Sequence, residues 1–246
     1  MEDRLRVGTN VVIGGYMADA VLDVPATGPC IVVVVAPKGG VGKTTLTNSM
    51  LVSGGKAGLR VLGVDMDGQH SLVQWSTRRQ TAMQRHPKAG ILDVPVRFMP
   101  LGDWRDLRSI VGVDLILVDT PPGHGEMTQP IKSVCGFADL VVIPTSASGM
   151  DLVQVIPFRQ TMPHNRSAFV LNRVNNRTLS FKRARHALIQ NGRLCPVEIP
   201  SLDSIQNQFM RGLSSVDFDD PGHDAFDGLW HFVRQEVGLR PAATGE

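Results

Sequence analysis

Between the β-branched run at residues 31–36 and a helix-forming stretch at 44–56 lies Pro37-Lys38-Gly39-Gly40-Val41-Gly42-Lys43-Thr44-Thr45. Glycines at this density let successive backbone N–H groups turn inward, and the following helix adds its positive end. The ligand such a loop cradles is a phosphate chain. In that arrangement Lys43 reaches the β- and γ-phosphates, and the Thr44 hydroxyl is placed to ligate Mg²⁺. Gly39, Gly40, Val41, Gly42 and Thr45 supply the backbone of the cradle. The loop also constrains the fold, because a buried strand leading through a turn into a helix is the unit of a parallel sheet.

The rest of the chain repeats that unit. Strands are expected at 61–65, 94–99, 114–119, 140–143, 168–171 and 197–199. Helices are expected at 71–85, 103–110, 129–137, 150–160, 178–190, 202–211 and 224–237. This alternation predicts an α/β fold with a single doubly wound, mostly parallel β-sheet and helices on both faces, spanning 30–240. Residues 1–29, with an expected short strand at 11–13, form an N-terminal extension. That extension reads as a docking arm, a disordered extension, or sequence ahead of a start at Met17; 241–246 form a tail. No apolar run reaches the roughly 18 to 20 residues needed to span a bilayer. Cys30, Cys135 and Cys195 are far apart and odd in number, with neither metal-ligand spacing nor a disulfide framework, so a reducing cytoplasm is expected.

Two further carboxylate sites follow expected strands. Val64-Asp65-Met66-Asp67-Gly68-Gln69 places carboxylates at a strand C-terminus, where open parallel sheets bind ligands. Asp67 is suited to orient an attacking water and help anchor hydrated Mg²⁺, or with Asp65 to cap the next helix. In Leu115-Ile116-Leu117-Val118-Asp119-Thr120-Pro121-Pro122-Gly123, four apolar residues end in an Asp suited to hold Mg²⁺ through a water.

The general pattern G-x-x-x-x-G-K-[ST] fails at Pro37, and K-G-G-x-G-K-[ST] fits instead. The three motifs in this order resemble the ParA/MinD family of P-loop ATPases with a deviant Walker A motif, over about residues 31 to 238. The stretch Gln69-His70-Ser71-Leu72 to Trp75-Ser76 is similar to the small plasmid-partition members. The resemblance implies ATP and Mg²⁺ as cofactors and Lys38, Lys43 and Asp67 as catalytic residues. Lys38 would act in trans within an ATP-sandwich homodimer. It implies Thr44, Asp67 and Asp119 at the metal, and Asn172 and Pro200 around the adenine. Gly68 stands where the family has proline.

A net charge of +2 hides an uneven distribution. From 152 to 197 there is no Asp or Glu, while Arg159, Arg166, Arg173, Arg177, Lys182, Arg183, Arg185 and Arg193 all fall there. Arg177, Lys182, Arg183, Arg185 and Arg193 suit a phosphate backbone or a solvated basic helix face, and the resemblance implies that they contact double-stranded DNA, bound without sequence preference. Arg78, Arg79 and Arg85 are expected to form a basic face on the 71–85 helix. Asp217, Asp219 and Asp220 form an acidic loop where several relatives are basic. The implied function is a DNA-partition or cargo-positioning ATPase, cytoplasmic and nucleoid-associated, released by a ParB-like adaptor that stimulates hydrolysis. The alternative is a MinD-like membrane-associated regulator of cell division. That role needs a basic amphipathic C-terminal helix, and Asp224, Asp227 and Glu236 on the 224–237 stretch argue for core packing and no membrane partner. Redox and carrier relatives need clustered cysteines. A tyrosine kinase needs a tyrosine-rich tail, and Tyr16 is the single tyrosine.

Overall fold

The computed structural model describes residues 22–23, 28–163 and 166–241. The strand expected at 11–13 and nearly all of the tail lie outside them. A short strand β1 (Leu22–Asp23) precedes β2 (Cys30–Val34), the phosphate loop and helix α1 (Lys43–Lys56). There follow β3 (Val61–Asp65), α2 (Ser71–Arg85), β4 (Val96–Phe98), a 3-10 segment (Leu101–Ser109) and β5 (Leu115–Asp119). A second 3-10 turn (Gly125–Met127) leads into α3 (Thr128–Phe137), β6 (Leu140–Thr145), α4 (Gly149–Gln160) and β7 (Ser167–Leu171). The chain closes with α5 (Leu179–Asn191), β8 (Arg193–Leu194), α6 (Asp203–Met210), α7 (His223–Glu236) and β9 (Arg240–Pro241).

Seven strands form one sheet in the order β4-β3-β5-β2-β6-β7-β8, and every pairing in it is parallel. The apolar runs were continuous because both faces are covered. Val32, Val34, Leu115 and Leu117 face α1 and α7, whereas Ile31, Val33, Ile116 and Val118 face the layer holding α3, α4 and α5. β1 pairs antiparallel with β9, joining the end of the N-terminal segment to the C-terminal one.

Three expectations need correction. The strand expected at 197–199 does not form; the seventh strand is β8, four residues earlier. Cys195 N and Ile199 N both donate to β7, at Phe169 O and Leu171 O. Ile199 N thus takes the place beside Leu171 O that Val197 N would hold in a continuous ladder, so residues 196–198 bulge away and the segment rejoins β7 at Ile199 and at the Val174–Pro200 bridge. The helix expected at 103–110 is a 3-10 segment. Arg79 is not on a basic face. It lies on the buried stripe of α2 with Leu72 and Trp75, and it pairs there with Asp217, which therefore leaves the acidic loop as well.

Candidate functional site

All the chemistry-bearing side chains lie at the C-terminal edge of the sheet. β2 delivers the phosphate loop at the sheet centre, with β5 on one side and β6 on the other. The first N–H groups of α1, at Lys43, Thr44 and Thr45, have no carbonyl one turn back within the helix, so they are available to an anion. Gly42 caps α1 at φ +89°, in the left-handed region that favours glycine. A Cβ there would stand 2.3 Å from Asn172 Nδ2, so a side chain is excluded by crowding as well.

Lys43, Thr44 and Asp119 form the centre of the site. Thr44 Oγ1 donates to Asp119 Oδ2 at 2.6 Å. Asp119 is 1% exposed and Lys43 7% exposed. Burial pushes the Asp119 carboxyl up to about 7, against the Thr44 hydrogen bond and the Lys43 charge that pull it down. Burial likewise lowers the Lys43 ammonium, while Asp119 and Asp67 oppose the shift. The second oxygen, Asp119 Oδ1, is buried without a hydrogen-bond partner. A buried, unpartnered carboxylate oxygen beside a threonine hydroxyl and a lysine is costly by itself and fits a hard cation with a phosphate. Thr44, Asp119 and, through water, Asp67 are the residues that would hold Mg²⁺.

The two carboxylates after β3 divide the work. Asp65 is fully buried and accepts from Asp67 N (3.0 Å), Leu72 N (3.0 Å) and Val73 N (3.1 Å). It thus caps α2 from the strand end and sets the shape of the intervening loop. Asp67 is half-buried, accepts from Gln69 N at 3.0 Å through Oδ1, and is close enough to act on the Lys43 and Asp119 charges. On the other side of the loop, Gly123 N donates to Ala36 O at 2.8 Å, and the His124 ring lies 3.1 Å from Pro37 O. The segment after Asp119 therefore touches the phosphate loop directly.

Lys38 lies at the outer edge and forms an ion pair with Asp151 at the start of α4. Burial raises the Asp151 carboxyl, but hydrogen bonds from Lys38, Ser146 and Ser148 outweigh it, and the net direction is down. Asn172 follows β7. Its Nδ2 donates to Val41 O at 2.7 Å and its Oδ1 accepts from Arg173 N. Arg173, at φ +56°, reaches Gly40 O at 2.7 Å. Asn172 and Arg173 thus brace the phosphate loop from behind. Asn172 also lines a small cleft with Thr45 and Pro200, which places both expected adenine residues beside the loop. Asp151 and Arg173 were not legible as site residues. Their partners are about a hundred or more positions away in sequence, and neither belongs to a local motif.

Arg177, Lys182, Arg183 and Arg185 are exposed on and just before α5, and Arg193 is exposed but paired with Glu236. The other three basic residues of the acid-free stretch do not join them. Arg159 is buried, Arg166 binds Ala138 O, and Arg173 serves the loop.

A parallel, doubly wound sheet with a phosphate loop after its central strand and an Asp at the adjacent strand end defines a P-loop nucleotide-binding domain. Residues 32–216 match the family model described as CobQ/CobB/MinD/ParA nucleotide binding domain, and the chain belongs to that family. The maintenance of carboxysome distribution protein A of Gloeobacter kilaueensis is 35% identical over 154 residues, covering 61% of this chain and 66% of that protein. The alignment thus spans just under two thirds of that relative. Among solved structures, the septum site-determining protein MinD of Pyrococcus horikoshii with Mg-ADP is similar at TM-score 0.66 and 20% identity, covering 86% of this chain and 98% of that one. A plasmid partition protein of Borrelia burgdorferi bound to AMPPNP is similar at TM-score 0.65 and 16% identity, covering 85% and 100%. At these identities the two structures show the shared fold.

Proposed function

We propose that the chain is a cargo-positioning ATPase of the ParA type. ATP closes two copies into a sandwich, the dimer binds nucleoid DNA without sequence preference, and adaptor-stimulated hydrolysis releases it. The observation that carries the reading is the buried Lys43–Thr44–Asp119 group with its open carboxylate oxygen. Lys38 stands at its rim, held by a residue of the same chain. Mg²⁺, when bound, supplies charge neutralisation for the phosphates. Lys43 and the loop N–H groups hold the β- and γ-phosphates, and Asp67 accepts a proton from, and orients, the attacking water. Lys38 leaves Asp151 to reach the partner copy's nucleotide.

The exposed cations on α5 support a phosphate-backbone surface that doubles when the chain dimerises. The apolar face of α7, including Phe226, Leu229 and Val233, is packed in the core, which favours the nucleoid reading over the membrane one. Named relatives act in carboxysome distribution, septum-site determination and plasmid partition, so the cycle is the common element and the cargo varies. The test is light scattering together with anisotropy of a labelled random-sequence duplex. Dimer and duplex binding are expected with ATP and lost with ADP. Duplex affinity indifferent to nucleotide, or ATP-dependent binding to anionic vesicles in place of DNA, would overturn the proposal.

A further inference from the structure

A groove of about 600 Å³ lies at the far end of α2 from the nucleotide loops, between that helix and the segment after α6. Its floor includes Ile91, Met210 and Phe218, and its rim includes Arg78, Arg85 and Arg211; no Asp or Glu lines it. Met210 is 65% exposed and Phe218 is 39% exposed. Among the described residues the Arg85 and Arg211 guanidinium groups make no ion pair or hydrogen bond. Arg78 stacks on Phe209, 5.4 Å from the ring centroid, and its Nε is buried without a hydrogen-bond partner.

The walls are locked together. Arg79 on α2 forms a two-pronged pair with Asp217, at 2.8 and 2.6 Å, and Trp75 Nε1 donates to Leu213 O at 3.1 Å. Gly212, at φ +76°, lies so close to α2 that a Cβ would stand 2.2 Å from Arg79 N. The groove is therefore preformed, which suits docking without rearrangement.

We propose that this groove docks an acidic amphipathic segment of a protein partner, with its carboxylates on the arginines and its apolar side chains on the Met210–Phe218 floor. Charge complementarity selects the occupant. Asp217 is consumed by Arg79, and Arg85 and Arg211 have no acidic partner among the described residues, so they call for carboxylates or phosphates, and guanidinium groups bind either in a fork. The apolar floor decides between them, because a phosphate backbone would leave it uncovered and a peptide buries it. A second copy of the chain is disfavoured, since a two-fold contact would bring the same arginines together. The groove lies about 10 to 20 Å along α2 from its Asp65-capped start, at 1.5 Å per residue from Arg78 to Arg85. Because Asp65 ties the Asp67 loop to the start of α2, a docked partner bears on the catalytic loop through one rigid helix.

The coupling rests on the ATPase reading, but docking does not. The test is selection of a random-peptide display library on the full chain, followed by anisotropy of the enriched peptides. Enriched peptides are expected to combine Asp or Glu with Leu or Phe. Their affinity should fall about tenfold in Arg85→Glu and in Arg211→Glu, and also in Met210→Ser. All three positions are outside the core, and nucleotide binding measured with a labelled ATP analogue should stay unchanged, which separates this failure from that of the ATPase reading. No enrichment, basic or neutral winners, or unaltered affinity in the reversals would refute the proposal. So would reversals that weaken only duplex binding or only self-association.

Discussion

Two of the charged constellations that the fold buries are built on opposite plans. The side chains of Arg79 and Asp217 are each 1% exposed, and their polar atoms are consumed by each other and by neighbours. Arg79 Nε donates to Leu92 O, and Asp217 Oδ2 also accepts from Ser214 N. At the phosphate loop Lys43 and Asp119 are buried about as deeply, with Thr44 half-buried between them, yet Asp119 Oδ1 has no partner among the described residues. A closed pair acts as scaffold; an open one is organised for something that arrives later. Depth of burial does not separate the two, but satisfaction of polar atoms does.

Five single substitutions and one double variant probe that contrast. The largest effect belongs to the closed pair. Asp217→Ala strands a buried guanidinium and should cost about 3–5 kcal/mol in denaturant unfolding. Replacing both partners, with Arg79→Met and Asp217→Leu, should recover most of that loss. A double variant as unstable as the single one would mean that the pair is more than scaffold.

At the open site, effects should appear in function. Asp67→Ala should lower phosphate release about 1000-fold while ATP still binds; normal turnover would remove Asp67 from catalysis. Lys43→Ala should weaken ATP binding about 100-fold in calorimetry. An increase in thermal stability of the free protein in that variant would fit a lysine desolvated for function. Asn172→Ala removes the brace on Val41 and should cost roughly 1 kcal/mol of nucleotide affinity. Full retention would confine its role to packing. The smallest change is expected for Asp151→Ala. It frees Lys38 and should shift the ATP-dependent dimer equilibrium by less than about 1 kcal/mol toward dimer, read by ultracentrifugation.

The phosphate loop was legible because its chemistry is local: consecutive residues, a strand before and a helix after, give the same cradle wherever they occur. The Asp119 strand was legible for the same reason. Arg79 was misread because its position on α2 records only that it is basic. Its partner is 138 positions away. The strand expected at 197–199 failed because Ile199, not Val197, donates to Leu171 O, so residues 196–198 bulge out of the ladder, a register choice that the apolar pattern does not record. Asp65 and Asp67 look alike in sequence. The structure separates them, because the Asp65 carboxylate is buried and taken up by the N–H groups of α2, whereas Asp67 stays half-buried on the loop, where its charge acts on Lys43.

The sequence by itself determined a doubly wound parallel sheet and a loop that binds phosphate, since β-branched runs, glycines and helix starts act over a few neighbouring residues. Tertiary structure alone decided which charges are free. It closed Arg79 on Asp217, held Lys38 against Asp151, braced the loop with Asn172 and Arg173, and left Arg85 and Arg211 without an ion pair among the described residues, beside an apolar floor. The reason is physical. A charge buried or exposed costs what its partners leave unsatisfied, and those partners are brought together only by the fold.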